Sequence, residues 1–190
     1  DLIGGNWGLN TKFRASMETP ITLYRYDFDQ NGSVEPVVTY YHMGAETPFA
    51  SRDELGKQMP FLNKKFRTYR EFASASMEAL FGEEALQKAE RHQVHELASC
   101  VFLNQGNGQF QKVPLPTIGQ ASVIYDFLPD DLNGDGLPDL LVIGNLYEIS
   151  TQLGRLDAFH GLVLRNEGDG SFAWDRNLTL PLSGAGRSID

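Results

Sequence analysis

The stretch Asp131-Leu-Asn-Gly-Asp-Gly-Leu-Pro-Asp139 constrains this chain more than any other. Oxygen-bearing side chains fall at Asp131, Asn133, Asp135 and Asp139, which are positions 1, 3, 5 and 9 of a loop. Gly136 sits at position 6, where a backbone wrapping a cation must turn sharply, and Leu137 at position 7 offers its carbonyl. A hard cation such as Ca²⁺ takes about 6–8 oxygens, and alternate residues of a curling backbone point inward to supply them. A helix–loop–helix calcium site closes with a Glu at position 12 and continues as helix. Here position 12 is Val142, and Asp139 is followed by Leu140-Leu-Val-Ile143, the apolar run of a buried strand. The stretch predicts a cation loop that feeds a strand.

The pattern occurs twice. Asp27-Phe-Asp-Gln-Asn-Gly-Ser-Val-Glu35 places Asp27, Asp29, Asn31, the Ser33 carbonyl and Glu35 in the same register, with Gly32 at position 6. Pro36-Val-Val-Thr-Tyr-Tyr41 follows as the strand. Asp, Asn and Gly are turn formers in any protein, so one such loop has a plain reading as a polar turn. Two in one register, each leading into a strand, point to Ca²⁺ at two sites. Position 9 differs between them, with Glu35 in one loop and Asp139 in the other.

The 190 residues are 41% hydrophobic and 22% charged, a globular balance within the size of one domain or a piece of a larger protein. A net charge of −9 argues against nucleic acid and anionic membrane surfaces as partners. No apolar run reaches the roughly 18 residues of a membrane span. The one cysteine, Cys100, has no partner for an internal disulfide and reads as a small core residue. Asn31-Gly-Ser33 and Asn177-Leu-Thr179 match the N-glycosylation pattern, but Asn31 is better explained as a metal ligand.

Along the chain, Ile21–Tyr26 alternates as a strand into the first loop, and 37–42 leaves it. The pattern then turns helical over 51–93. Ser51-Arg-Asp-Glu54 is a capping box, Leu55, Met59, Leu62 and Phe66 form one apolar stripe broken at Pro60, and Tyr69, Phe72, Ala73, Ser76, Met77, Leu80 and Phe81 form a second, ending at Gly82. Glu83–Arg91 reads as a third short helix. Strands return at 95–103 and 109–113 around Asn107-Gly108, a hairpin turn signal. The Asn104-Gln-Gly-Asn-Gly-Gln-Phe110 hairpin aligns with Asn166-Glu-Gly-Asp-Gly-Ser-Phe172, and Ser122–Leu128, Leu140–Asn145, 160–165 and 172–175 read as strands around the second loop. Asp1-Leu-Ile-Gly-Gly-Asn6 resembles Asp139-Leu-Leu-Val-Ile-Gly-Asn145, the strand that leaves that loop.

The chain is therefore mainly β with a helical insertion and contains an internal repeat: strand, loop, strand, insertion, strand, Asn-x-Gly-x-Gly-x-Phe hairpin, strand. Four antiparallel strands per repeat make one propeller-type blade. The expected arrangement over 1–190 is a partial propeller. One blade spans about 20–114 with the helical insertion 51–93, a second spans about 119–176, and 1–19 and 177–190 are the ends of neighbouring blades.

These loops and hairpins resemble FG-GAP/VCBS-type repeats, the calcium-loop blades of integrin-α-like propellers. Arg52-Asp-Glu-Leu55, Gln58-Met-Pro-Phe-Leu-Asn-Lys-Lys-Phe66 and Tyr69, with Leu115-Pro116, Gln120 and Gly154-Arg-Leu-Asp-Ala158, are similar to a Bacteroidetes group of secreted VCBS-repeat proteins that often carry an ASPIC/UnbV-type C-terminal region. The resemblance implies Ca²⁺ at Asp27, Asp29, Asn31, Ser33 and Glu35, and again at Asp131, Asn133, Asp135, Leu137 and Asp139. It also implies an extracellular or cell-surface location, in bacteria secreted or outer-membrane-associated. The literal Phe-Gly…Gly-Ala-Pro sequence is absent ahead of both loops.

Three functions fit these residues. The first is a calcium-stabilised, non-catalytic binding or adhesion-type module, with a protein or a carbohydrate as partner. The second is an extracellular, hydrolase-like enzyme. Its candidate groups are His42, His92, His95, Asp126 and above all His160 with Asp157 and Arg155; no nucleophile elbow, phosphate loop or dinucleotide fingerprint accompanies them. The third is a purely architectural propeller segment whose open blade edges would favour homo-oligomers.

Overall fold

The computed structural model describes residues 1–150, 152–178 and 184–189. They form antiparallel sheets with a few short helices, organised as two compact units: 1–12 with 97–190, and 13–96.

In the first unit, β1 (Leu2–Gly4), β6 (Cys100–Gly106) and β7 (Gln109–Pro114) make a three-stranded sheet in the order β1-β6-β7. A four-stranded meander follows, made of β8 (Ile124–Asp130), β9 (Asp139–Gly144), β10 (Leu162–Asn166) and β11 (Phe172–Trp174). All six residues of β9 are buried. Leu140 and Val142 face a core shared with Val101, Leu115, Phe159, Leu162 and Leu164, while Leu141 and Ile143 fill the opposite face. A strand covered on both sides has no use for alternation, hence the unbroken Leu-Leu-Val-Ile run. The β6–β7 turn is Asn107-Gly108, both at positive φ (53° and 75°), as a type I′ turn requires.

The second unit has its own four-stranded sheet. β2 (Ile21–Tyr26) and β3 (Glu35–His42) pair around the first loop, flanked by β4 (Ala45–Pro48) and β5 (Glu90–Val94). Five short helices run between β4 and β5: α1 (Arg52–Gln58), α2 (Pro60–Lys65), α3 (Tyr69–Ala73), α4 (Met77–Phe81) and α5 (Glu83–Lys88). Their buried Leu55, Met59, Leu62, Met77, Leu80 and Phe81 pack with Tyr24, Phe28 and Val37 of the sheet side. The helix starts are encoded locally. Ser51 with Glu54 and Thr68 with Glu71 form reciprocal capping boxes, and Pro60 opens α2.

The structure departs from the expected grouping of strands. The stretch 20–114 is divided between two sheets, because both flanks of the β2–β3 pair are already taken. Met43 and Gly44 (φ 50° and 83°) turn the chain straight back as β4, and β5 covers the far edge. The hairpin at 100–114 pairs with β1 instead. The helix expected over Glu83–Arg91 stops at Lys88, and Arg91 to Val94 lie opposite Tyr24 to Ile21. The second helical stripe is cut at Ser74-Ala-Ser76, where Ser76 caps α4, and Tyr69 turns outward with its hydroxyl donating to Asp53 Oδ2 at 2.7 Å. The expected strand over 95–103 starts only at Cys100.

Candidate metal centre

The two Asp-rich loops have the same internal framework. Position 1 receives the N–H groups of positions 5 and 6 in each, and Asp131 Oδ1 accepts from Gly134 N–H at 2.8 Å as well. Asp27 Oδ1 accepts from Asn31 N–H at 2.9 Å and Oδ2 from Gly32 N–H at 2.8 Å; Asp131 Oδ1 accepts from Asp135 N–H at 3.1 Å and Oδ2 from Gly136 N–H at 3.0 Å. The position-5 N–H also reaches position 3, from Asn31 to Asp29 Oδ1 (3.2 Å) and from Asp135 to Asn133 Oδ1 (2.8 Å). The position-7 N–H reaches position 5, from Ser33 to Asn31 Oδ1 (2.7 Å) and from Leu137 to Asp135 Oδ1 (2.8 Å). Side-chain oxygens that bond the backbone two to five residues on make the chain curl around them.

The curl needs left-handed backbone at two places. Gly32 and Gly136 at position 6 lie at φ 89° and 87°, as the sequence pattern requires. Position 4 is also left-handed, Gly134 at 82° and Gln30 at 58°; a side-chain-bearing residue there is unusual. Nothing in the Gln30 side chain signals this.

Position 9 separates the loops. Glu35 is 5% exposed and folds back into its own loop, its Oε2 accepting from Phe28 N–H at 2.9 Å. One carboxylate oxygen each from Asp27, Asp29 and Glu35 can lie within 4.8 Å of the others. Burial pushes the Glu35 carboxyl above its ordinary value; the Phe28 N–H works against that shift, and the charges of Asp29 and Asp27 add to it. Asp139 is fully buried and reaches across to the neighbouring hairpin, Oδ1 accepting from Asn166 N–H at 2.9 Å. Its other oxygen, Oδ2, is buried with no hydrogen-bond partner. A buried carboxylate oxygen left unsatisfied is costly, and a cation in the loop would satisfy it. Among the described residues the 4.8 Å grouping of three acidic groups occurs at the first loop only. In the second loop Asn133 Nδ2 donates to Asp135 Oδ2 at 2.9 Å.

The donor set fits Ca²⁺ in both loops: oxygen ligands only, three of them carboxylates, at alternating positions. Ser33 and Leu137 are exposed at position 7, where the pattern assigns their carbonyls.

The hairpins contribute a feature that sequence reading missed. Asn104 pairs with Phe110 and Asn166 with Phe172, and each Asn Oδ1 accepts from the N–H two residues on, Gly106 at 2.8 Å and Gly168 at 2.9 Å. Asn104 N–H then donates to Asp1 Oδ1 at 2.7 Å, as Asn166 N–H does to Asp139. The aligned Asn residues were the available signal, since an Asn before a turn often bonds its own backbone.

The candidate acid–base groups stand apart. Arg155 and Asp157 form an exposed ion pair at 3.7 Å, with Arg155 also 4.2 Å above the Tyr147 ring. His160 is exposed beside an apolar depression lined by Ile118, Phe159 and Trp174, and no described hydrogen bond or ion pair joins it to either. His92 pairs with Glu90 at 2.9 Å on the outer strand β5, and His95 Nδ1 lies 3.2 Å from Ser16 O. His42 lines a groove of about 560 Å³ between the β3–β4 hairpin and residues 73–78. Asp126 accepts from Ile189 and Phe127 N–H groups, which hold its carboxyl below the ordinary value. In the second glycosylation match, Thr179 lies outside the described residues.

Residues 97–142 match the family model described as an FG-GAP-like repeat. The match spans the β6–β7 hairpin, the 3₁₀ turn at Thr117–Gln120, β8, the whole second loop and the start of β9. No curated protein and no solved structure matched the chain. No described helix is long and apolar enough to cross a membrane.

Proposed function

We propose that the chain is a calcium-stabilised, non-catalytic binding module of a secreted or cell-surface protein, built from propeller-type blades. The observation that carries this reading is the shared hydrogen-bonded framework of the two loops, closed by a buried acidic residue in each. Asp27, Asp29, Asn31, the Ser33 carbonyl and Glu35 would hold one ion. Asp131, Asn133, Asp135, the Leu137 carbonyl and Asp139 would hold the other. The FG-GAP-like repeat at 97–142 supports an extracellular adhesion-type or architectural role. The narrower likeness to Bacteroidetes secreted proteins rests on the insertion.

The chemistry of the loops is structural. Three carboxylates converging without a counter-charge repel one another, and Ca²⁺ neutralises them and ties the turn between two strands, so folding becomes linked to metal concentration. The FG-GAP-like repeat supports a non-catalytic role. The partner is a protein or a glycan, and the groove beside His42, Tyr41 and Glu46 in the inserted unit is the recognition surface we favour.

The test is a thermal melt of the chain in EDTA, in about 10 mM Ca²⁺ and in equal Mg²⁺. Extracellular calcium sites have Kd values of roughly 10⁻⁴–10⁻³ M. Saturation at ten to a hundred times Kd contributes about 1.4–2.7 kcal/mol per site, or a midpoint rise of about 5 °C or more for two sites. Equal midpoints in EDTA and Ca²⁺ would sink the proposal.

A further inference from the structure

The helical insertion carries a surface whose charge runs against that of the chain. Between Glu54 and Glu71 lie Lys57, Lys64, Lys65, Arg67 and Arg70 and no acidic residue, in a chain of net charge −9. Lys64 and Lys65 end α2, Arg67 stands in the link to α3, and Arg70 is in the first turn of α3. These four are exposed. Six steps of chain separate the outer two, so their Cα atoms are at most roughly 20 Å apart.

Other exposed cations are neutralised: Arg25 by Glu90 at 2.8 Å, Lys88 by Glu84 at 2.6 Å and Arg165 by Glu167 at 2.7 Å. Among the described residues no ion pair involves Lys64, Lys65, Arg67 or Arg70. The neighbouring carboxylates are engaged elsewhere. Glu71 folds back onto the Thr68 N–H as half of a capping box, and Arg67 acts on it through its field without pairing. Asp53 takes the Tyr69 hydroxyl and the Arg52 guanidinium.

An aromatic ring stands amid these cations. Tyr69 is 64% exposed although the Arg52 guanidinium lies 5.4 Å from its ring centroid. Its hydroxyl is tethered to Asp53 Oδ2 at 2.7 Å, and Arg52 Nε donates to the Phe66 carbonyl at 2.8 Å. The ring is held by Arg52 and Asp53 and is otherwise bare, which makes it a pre-organised flat face.

A partner for this surface combines negative charge with a flat, partly apolar face. Pyranose rings present C–H faces that lie on aromatic rings, and carboxylates match the Arg fork bidentately. Nucleic acids and anionic lipid surfaces carry a charge on every phosphate, which the acidic remainder of the chain opposes. A polysaccharide with uronates on alternate sugars meets less of that repulsion.

We propose that Lys64, Lys65, Arg67 and Arg70 around Tyr69 form a binding surface for a uronate-bearing polysaccharide, with sugar rings lying on Tyr69 and carboxylates on the cations. This rests on the binding-module reading given above and narrows its partner to a glycan. It depends neither on calcium nor on the groove beside His42.

The probe is a fluorescein-labelled hyaluronan decasaccharide, titrated into the whole chain and followed by polarisation. The titration is run at about 50 mM salt, where screening is weak, and repeated at higher salt. The expected result is saturable binding that weakens as salt rises. Arg67→Gln combined with Arg70→Gln weakens it about tenfold, and so does Tyr69→Ala. Tyr69→Phe, which keeps the ring, and Lys88→Gln, which removes a charge on α5, stay within about twofold of the native chain. No saturable binding overturns the proposal. So does equal binding of carboxyl-reduced hyaluronan, which has the rings without the charge, or equal binding by Tyr69→Ala, which leaves charge alone. Loss on Glu46→Gln but not on the Arg substitutions places the glycan in the groove and overturns it too. Tighter binding of an oligothymidylate or of phosphatidylglycerol vesicles through the same residues assigns the surface to a phosphate partner instead. A calcium-raised melting midpoint with no hyaluronan binding removes this surface and leaves the calcium module standing. Hyaluronan binding that persists in EDTA, with no calcium effect on the melt, removes the metal reading and leaves this surface.

Discussion

The two loops share a spacing and a framework, yet their closing carboxylates have different tasks. Glu35, one methylene longer, folds inward and takes the Phe28 N–H of its own loop. Asp139 bonds the Asn166 N–H of the next hairpin. One loop is closed within itself; the other is tied to a third strand. Position 9 is a local closure in one loop and a link to the neighbouring strand in the other. The pair Asp1–Asn104 repeats the second arrangement, which marks it as the structural habit of this unit.

This contrast makes Asp139 the position where the largest loss is expected. Asp139→Ala orphans the Asn166 N–H and empties the closing position, at a cost of about 3 kcal/mol in Ca²⁺. In EDTA the cost is roughly half, because the unpartnered Oδ2 leaves with the side chain. Urea titrations in the two buffers measure the difference; equal costs would show that Asp139 acts through Asn166 alone.

Glu35→Ala breaks the symmetry in the other direction. It removes a hydrogen bond but also relieves the repulsion from Asp27 and Asp29. The net change in EDTA is expected to stay within about 1 kcal/mol, rising to about 2 kcal/mol in Ca²⁺. A larger loss in EDTA than for Asp139→Ala would reverse the assignment of local and tethering roles.

Backbone changes sharpen the comparison on a smaller scale. Gly32→Ala and Gly136→Ala meet no atom within 4 Å, so strain at positive φ alone sets their cost, about 1 kcal/mol each. Gln30→Gly gives the first loop the residue that Gly134 provides in the second, and is expected to stabilise it by about 0.5 kcal/mol. Unequal costs for the two alanines would mean that the differences at positions 3 and 4 reach the turn at position 6.

Alkaline titration separates the two units. Burial, then the charge and hydrogen bond of Glu46, push the Tyr24 phenol up to about 12, with Arg91 above the ring pulling back. A raised pKa means that the folded chain holds the proton more tightly. The associated stability is therefore complete below the unfolded value near 10 and is lost as pH rises through about 12. Melts across that window should fall more steeply for the native chain than for Tyr24→Phe, while the late tyrosine step disappears from the absorbance titration of the variant. An unchanged titration would place Tyr24 in water.

Much of this was legible in the residues, because it depends on neighbours in sequence. The loop ligands, the positive-φ glycines and the Asn107-Gly108 turn follow from side chains that bond backbone a few positions away. The Ser51-Arg-Asp-Glu54 and Thr68-Tyr-Arg-Glu71 capping boxes are likewise each encoded in four consecutive residues. Misreadings came where local pattern and distant partner disagree. Glu90 and Arg91 suit a helix, yet the free edge of β2 claims them. Tyr69 suits an apolar stripe, yet Asp53 holds it at the surface.

Residue order alone dictates that two oxygen-rich turns each lead into a strand, that β9 is buried, and that a helical insertion carries its own apolar stripes. These are consequences of period, spacing and turn chemistry, all short-range. The folded chain settles which strands share a sheet and where each acidic side chain is spent. It placed the 100–114 hairpin against β1, joined Asp1 to Asn104 across the chain, and buried one Asp139 oxygen beside an exposed loop. Strand pairing is chosen by which edges remain free after the local hairpins have closed, and that is a property of the assembled chain.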